Sequence, residues 1–450
     1  MLFQSTRDPQ QRVTLSAALQ HGLAADGGLY VPAEWPQLAP QSDPQDLPSL
    51  ALELLQPFAA GDALAGELPQ IVREAFNFPA PLQMLDAGGT LGVLELFHGP
   101  TAAFKDFGAR FLAAALARRG GAGAPGGGTG AMPAGTTASG TTLTILVATS
   151  GDTGGAVAAA FHRRAGVQVA VLFPKGLVSP TQQQQLTCWG DNILSFAVRG
   201  RFDDCQRLVK QAFADAALRA RGPLSSANSI NVGRLLPQMV YYWAASLQIR
   251  RAHGQPASFV IPSGNLGNAT ACVWARKLGA PIASIVLAHN ANRTVPDYLD
   301  SGELQLRPSV ATLSSAMDVG NPSNLERLTA LYREAAAMRT ALSAVSIDDE
   351  ATRARIRTDY ERYGRVWCPH TAVAAEGYAR LPPADRANGH WVLVATAHPA
   401  KFREIIEPLI GRALSMPENL ARLFERPVSC TEIDATLEAL KDSLVRPHRQ

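Results

Sequence analysis

"LTILVATSGDTGGAVAAAF", residues 143–161, passes from a Val/Ile/Leu-rich run through a polar glycine turn into an alanine-rich stretch. A short apolar run followed directly by a helical pattern reads as a strand buried on both faces, feeding a helix. The same rhythm recurs along the chain. "LGVLELF" (91–97), "VQVAVLF" (167–173), "ILSFAVRG" (193–200), "ASFVIP" (257–262), "ASIVLA" (283–288) and "HWVLVATA" (390–397) are all separated by helical stretches. Strands spaced this way predict an α/β chain with open, mostly parallel sheets, two of them side by side.

At 450 residues the chain is long enough for two or three domains. Its net charge of +3 is small, which argues against a nucleic-acid or membrane-surface partner. Cys188, Cys205, Cys272, Cys368 and Cys430 are scattered without a CxxC pair, so neither a disulfide framework nor a metal site is expected. Each is expected to be a small buried hydrophobe in a reducing compartment. The start "MLFQSTRDPQ" lacks a basic segment followed by an apolar one, and no apolar run reaches membrane-spanning length. A cytoplasmic location is the expectation.

Residues 1–90 read as a helical N-terminal domain, 91–410 as the main region and 411–450 as a helical tail. Within the main region, residues about 140–240 form a smaller subdomain. "RRGGAGAPGGGTGAMPAGTTASGTT" (118–142) has no periodic apolar face and reads as a flexible surface insertion. It contains no lysine and no GK[ST] ending, so it is not a phosphate loop.

Four polar constellations follow strands or open helices. Thr149, Ser150, Gly151, Asp152, Thr153 and Gly154 form the turn of the opening stretch. Ser263, Gly264, Asn265, Leu266, Gly267 and Asn268 form a second strand-to-helix turn. Backbone N–H groups at a strand's carboxyl end and a helix N-terminus make an anion site, and glycine lets the anion approach closely. Either turn alone could be a plain connection, and neither is a GxGxxG loop. In "SANSINVGRLLPQ" (226–238), Asn228, Ser229 and Asn231 could be simple helix caps. Arg234 exceeds what capping needs and suits a two-pronged contact with carboxylate or phosphate. In "VATAHPAKF" (394–402), Thr396 closes a strand, while His398 and Lys401 could be ordinary loop residues.

Lys105, in "HGPTAAFKDFGARF" (98–111), has three readings. It could be a solvated lysine, a point charge for phosphate, or an amine that attacks a carbonyl. Aromatic neighbours and a helix start favour the third, because desolvation and the positive helix end both lower an ammonium pKa.

Taken in order, "DGGLYVP" (26–32), "HGPTAAFKDFGARF", "ATSGDTGGAVA", "SANSINVGRLLPQ", "IPSGNLGNATA", "TLSSAMDVGNPSN" (312–324) and "ATAHPAKF" resemble the threonine synthases of the longer bacterial and fungal type. The resemblance runs from about Ser5 to Phe402, with the 118–142 insertion atypical. It implies the tryptophan-synthase-β-like fold, fold type II, and pyridoxal 5'-phosphate as cofactor. Lys105 then matches the Schiff-base lysine and Ser263, Gly264, Asn265, Leu266, Gly267 and Asn268 the cofactor's phosphate cup. Thr396 matches the hydroxyl at the pyridine nitrogen. Thr149, Ser150 and Thr153 match the loop for the substrate carboxylate, and Asn228, Ser229 and Arg234 the part that binds substrate phosphate. Asp152 stands where related enzymes often carry Asn beside the phenolic oxygen, and an Asp there is expected to need a shared proton.

The implied reaction is O-phospho-L-homoserine plus water to L-threonine and phosphate, a lyase-type step with no metal. The rival in the same fold is a phospho-lyase releasing 2-oxobutyrate, ammonia and phosphate. Threonine dehydratase and cysteine synthase have no need for an Arg234-type phosphate contact. A non-enzymatic binding module would require loss of the lysine or the cup, and both are present. The sequence is compatible with a monomer or a homodimer.

Overall fold

The computed structural model describes residues 1–86, 88–119 and 142–445. Residues 120–141, most of the expected insertion, lie outside the described residues. Every apolar run singled out in the sequence becomes a strand. Ala257–Pro262 is buried at every position, and Val167–Pro174 at all but one, as strands covered on both faces require.

Six strands build the larger sheet, in the order Ser343–Ser346, Ile282–His289, Ala257–Pro262, His390–Ala395, Leu91–Glu95, Leu82–Met84. Its pairings are parallel except for the edge strand Leu82–Met84, which runs antiparallel to Leu91–Glu95. The smaller sheet is parallel throughout, in the order Thr431–Asp434, Ile193–Arg199, Val167–Pro174, Leu143–Ala148, Leu224–Ser226.

Strand order fixes where a ligand can sit. From Leu143–Ala148 the chain winds outward through Val167–Pro174 and Ile193–Arg199, then returns to Leu224–Ser226 on the other side. From Ala257–Pro262 it winds outward through Ile282–His289 and Ser343–Ser346, then inserts His390–Ala395 on the opposite flank. Each reversal leaves a crevice at the carboxyl ends of the strands. The turns after Ala148, Pro262 and Ala395 open there.

Three expectations need correction. The N-terminal segment is not purely helical: Phe3–Ser5 pairs antiparallel with both Arg12–Val13 and Tyr30–Pro32. These strands are too short to show an alternating pattern. The last residues are not a purely helical tail either. Thr431–Asp434 adds an edge strand to Ile193–Arg199, between helices Glu418–Phe424 and Leu437–Val445. Only Ile433 of that strand is buried, so no apolar run announced it. Four cysteines are buried, but Cys430, just before this edge strand, is exposed. Among the described residues, no helix is long and apolar enough to cross a membrane.

Arg327, from helix Leu325–Tyr332, ties the N-terminal segment to the crevice. It is fully buried without a carboxylate partner. Its guanidinium donates to the carbonyls of Tyr30 (3.1 Å), Ser229 (2.9 Å) and Ile230 (2.6 Å), and to Asn324 Oδ1 (2.5 Å). Burial lowers its pKa to about 9, so it stays charged at neutral pH. Replacing Arg327 with Met leaves those acceptors unpaired at about 1–3 kcal/mol for each unsatisfied group. The expected outcome is a loss of about 3 kcal/mol in urea unfolding; an unchanged midpoint would remove Arg327 from this role.

Candidate active site

Lys105 is the first residue of helix Lys105–Arg119. The turn before it is pinned to the end of strand His390–Ala395: Phe104 N donates to Thr396 O (2.9 Å), and His398 N donates to Ala102 O (3.0 Å). Asp106 fixes the turn from inside, accepting from Thr101 N (2.9 Å) and Thr101 Oγ1 (2.7 Å). The Lys105 ammonium lies 5.8 Å from the centre of the Phe104 ring. Burial lowers its pKa to about 8; Asp152 opposes that shift, while Arg234 and Lys401 reinforce it. The helix start, the aromatic wall and the nearby cations are the environment that leaves a lysine partly as free amine.

Every site residue expected from the sequence lines one cleft of about 940 Å³, partly open to solvent. Leu266 adopts a left-handed conformation (φ 60°) and leads into helix Gly267–Lys277, whose N-terminus has no side-chain cap. Its first N–H groups therefore face the cleft as donors. Asn268 accepts from Tyr241 (2.5 Å) and Tyr242 (2.8 Å) through Oδ1, and its buried Nδ2 has no partner. A Cβ at Gly264 would lie 2.7 Å from Met317 Cα, so only glycine lets the loop carrying Met317 close on the cup. Asn265 is braced by Ser229 Oγ (2.7 Å) and Ser323 N (2.6 Å). Ser263 is turned inward, donating to Ile261 O (2.9 Å).

At the turn after Leu143–Ala148, Thr149 Oγ1 accepts from Gly151 N (3.0 Å) and Gly154 N (2.9 Å). That oxygen shapes the turn, while Ser150 and Thr153, whose hydroxyls have no partner among the described residues, line the cleft. Asn228 braces the same strand end, donating to Ala148 O (2.7 Å) and accepting from Ala148 N (3.3 Å). Arg234 is 2% exposed, donates from Nη1 to Ala227 O, and keeps a buried Nε without a partner. It has no carboxylate partner, and although burial lowers its pKa to about 10 it remains a cation at neutral pH. An unpaired buried guanidinium lining a cleft is an anion site in waiting.

Asp152 is paired within the protein. Its Oδ1 lies 2.7 Å from Lys401 Nζ and accepts from Gln182 Nε2 (3.0 Å). Burial alone would push its carboxyl up, but Lys401, Lys105 and His370 outweigh that and hold it well below the usual range.

The chain matches the family model for pyridoxal-phosphate-dependent enzymes over residues 77–397. It also matches the models for the threonine synthase N terminus (2–76) and C-terminal region (371–444). It is 40% identical to the threonine synthase of Haemophilus influenzae, over 99% of this chain and 100% of that one. The chain belongs to the threonine synthase family. It is 37% identical to the Escherichia coli threonine synthase, over 98% of each chain. The crystal structure of threonine synthase from Escherichia coli superposes with a TM-score of 0.85 at 36% identity, covering 99% of both chains. The pyridoxal-phosphate-bound threonine synthase from Brucella melitensis also gives 0.85, at 33% identity and 98% coverage of each.

Pyridoxal phosphate is the cofactor of this threonine synthase family member. The residues fit it: the uncapped helix start and the Asn268 amide await an anion, Lys105 offers an amine, and the Thr396 hydroxyl is left to the cleft. Sequence reasoning missed several of the groups that support this site. Lys401 passed for a loop residue, yet it is fully buried. His370, the start of helix Pro369–Ala379, accepts from Ala316 N (3.1 Å) and was not singled out. Asn324, at the end of "TLSSAMDVGNPSN", donates to Ser229 Oγ (3.0 Å) and Asn265 O (2.9 Å). The motif marked its region without indicating this task.

In full-length protein freed of cofactor, competitive acetylation of Lys105 should reach half-maximum near pH 8. Surface lysines should titrate at about 10.4. Equal midpoints would contradict the environment described for Lys105.

Proposed function

We propose that this chain converts O-phospho-L-homoserine and water to L-threonine and phosphate, with Lys105 as its reacting amine. The observation that carries this reading is Arg234: a buried guanidinium without a carboxylate, in the same cleft as Lys105 and the uncapped helix start. An enzyme of this fold acting on an unphosphorylated amino acid has no use for that second anion site.

When bound, pyridoxal phosphate supplies an electron sink for negative charge at the substrate's Cα. The rest is work for the chain. The N-terminus of helix Gly267–Lys277, with the Asn268 amide, would hold the cofactor phosphate. Ser150 and Thr153 donate hydroxyl protons to the substrate carboxylate, and Thr149 orders the turn that presents them. Arg234 and Ser229 receive the substrate phosphate, and the remaining Asn228 N–H completes that contact. Lys105 Nζ takes the proton from Cα and then one from Cβ, which lets the γ-phosphate leave, and protons return to Cγ and Cα as water adds at Cβ. The Thr396 hydroxyl would be the group at the pyridine nitrogen, and it brings no charge there. Phosphate leaves from Cγ and water adds at Cβ. The cytoplasm is the proposed location.

Incubating the loaded protein with O-phospho-L-homoserine tests the reading. Threonine and phosphate in equal amounts are expected; 2-oxobutyrate and ammonia would replace it with the phospho-lyase. In Arg234→Gln, loss of a charged contact should raise KM by about tenfold or more, with kcat less affected. An unchanged KM would remove Arg234 from phosphate binding.

A further inference from the structure

Half-buried Lys105 lines the cleft, fully buried Lys401 lies behind it, and of the two only Lys401 forms an ion pair with a carboxylate among the described residues. Lys401 Nζ lies 2.7 Å from Asp152 Oδ1 and donates to Thr101 O (3.0 Å). Lys401 is 0% exposed and Asp152 4%. Lys401 sits in the short helix Pro399–Phe402, directly after the strand end that carries Thr396, and Asp152 begins helix Asp152–Phe161 of the smaller sheet. Gln182 Nε2 donates to the same Oδ1 (3.0 Å), and Ser179 Oγ donates to the Lys401 carbonyl (3.1 Å). Four segments thus converge on one ion pair.

We propose that Lys401 is a positioning residue that occupies the Asp152 carboxylate in a buried ion pair, so that Lys105 remains available as a free amine. The charged and titratable groups that face Lys105 are Asp152 from helix Asp152–Phe161, Arg234 from Val232–Leu235, Lys401 and His370. Of these, Asp152 alone favours the ammonium form; Arg234 and Lys401 oppose it. His370 is held neutral by burial, with its pKa lowered to about 4. Asp106 is committed to Thr101. If Lys401 were removed, the ionised Asp152 would have one remaining lysine to pair with, and that lysine is Lys105. A second opposite charge in a partly desolvated site stabilises the ammonium and withdraws the amine.

The proposal rests on Lys105 as the reacting amine, but its test reads the amine directly and not turnover. Full-length protein is freed of cofactor with hydroxylamine, and the acetylation of Lys105 is followed against pH by mass spectrometry. Regain of the visible cofactor absorbance on adding pyridoxal phosphate checks that each variant is intact. In Lys401→Met the midpoint should rise by about one pH unit or more, roughly a tenfold loss of free amine below the midpoint. In the double variant Asp152→Asn/Lys401→Met, which removes both charges together, the midpoint should return close to the original. An unshifted midpoint in Lys401→Met overturns the proposal. So does a double variant whose shift equals the single one, because Lys401 would then act only as a structural brace. If Lys401→Met does not fold, Lys401→Arg and the double variant decide: both must keep the original midpoint. Failure of the Lys105 reading itself would look different, with cofactor attached to another lysine.

Discussion

A cleft that collects anions must be rich in cations, and a lysine placed among cations gives up its proton readily. The whole site turns on that coupling. Arg234 has no carboxylate, so its charge is left for a ligand and its field lowers the proton affinity of Lys105. Asp152 is the one carboxylate that could undo this, and Lys401 holds it at 2.7 Å. In the proposed reading, substrate capture and amine activation are therefore not separate designs. They are one charge distribution with two effects.

The sheets make this distribution possible by placing helix starts and strand ends on the same edge. Both sheets reverse their winding where the polar turns lie, so the turns at 149–154 and 263–268 face a shared crevice. The turn before Lys105 bonds to the strand end at Thr396, which fixes the amine relative to the hydroxyl. Arg327 braces the loop that carries Ser229, binding its backbone carbonyls. Its placement makes the N-terminal segment part of the site's support, through Tyr30 O.

Much of this was legible because buried parallel strands write themselves as continuous apolar runs, and strand-to-helix turns as glycine with hydroxyls. The setting of Lys105, a helix start beside an aromatic ring, was legible from its neighbours. What escaped had a common cause. Leu224–Ser226, Ser343–Ser346 and Thr431–Asp434 are three or four residues long and partly polar, so pairing with a neighbouring strand and not composition makes them strands. Lys401 and Asn324 look like loop residues because their partners, Asp152, Thr101 and Ser229, are distant in sequence. Asp152 gave no sign of its ion pair for the same reason. Its counter-ion lies on the other sheet's side of the cleft, and only the fold brings the two together.

Two lysines, Lys105 and Lys401, act on the Asp152 carboxylate, and that gives the most direct test. Borohydride reduction of the protein loaded with pyridoxal phosphate fixes the cofactor to whichever lysine holds it, and peptide mapping by mass spectrometry identifies that residue. The account predicts the pyridoxyl group on Lys105, with Lys401 unmodified. A label on Lys401, or on a lysine outside the cleft, would contradict it.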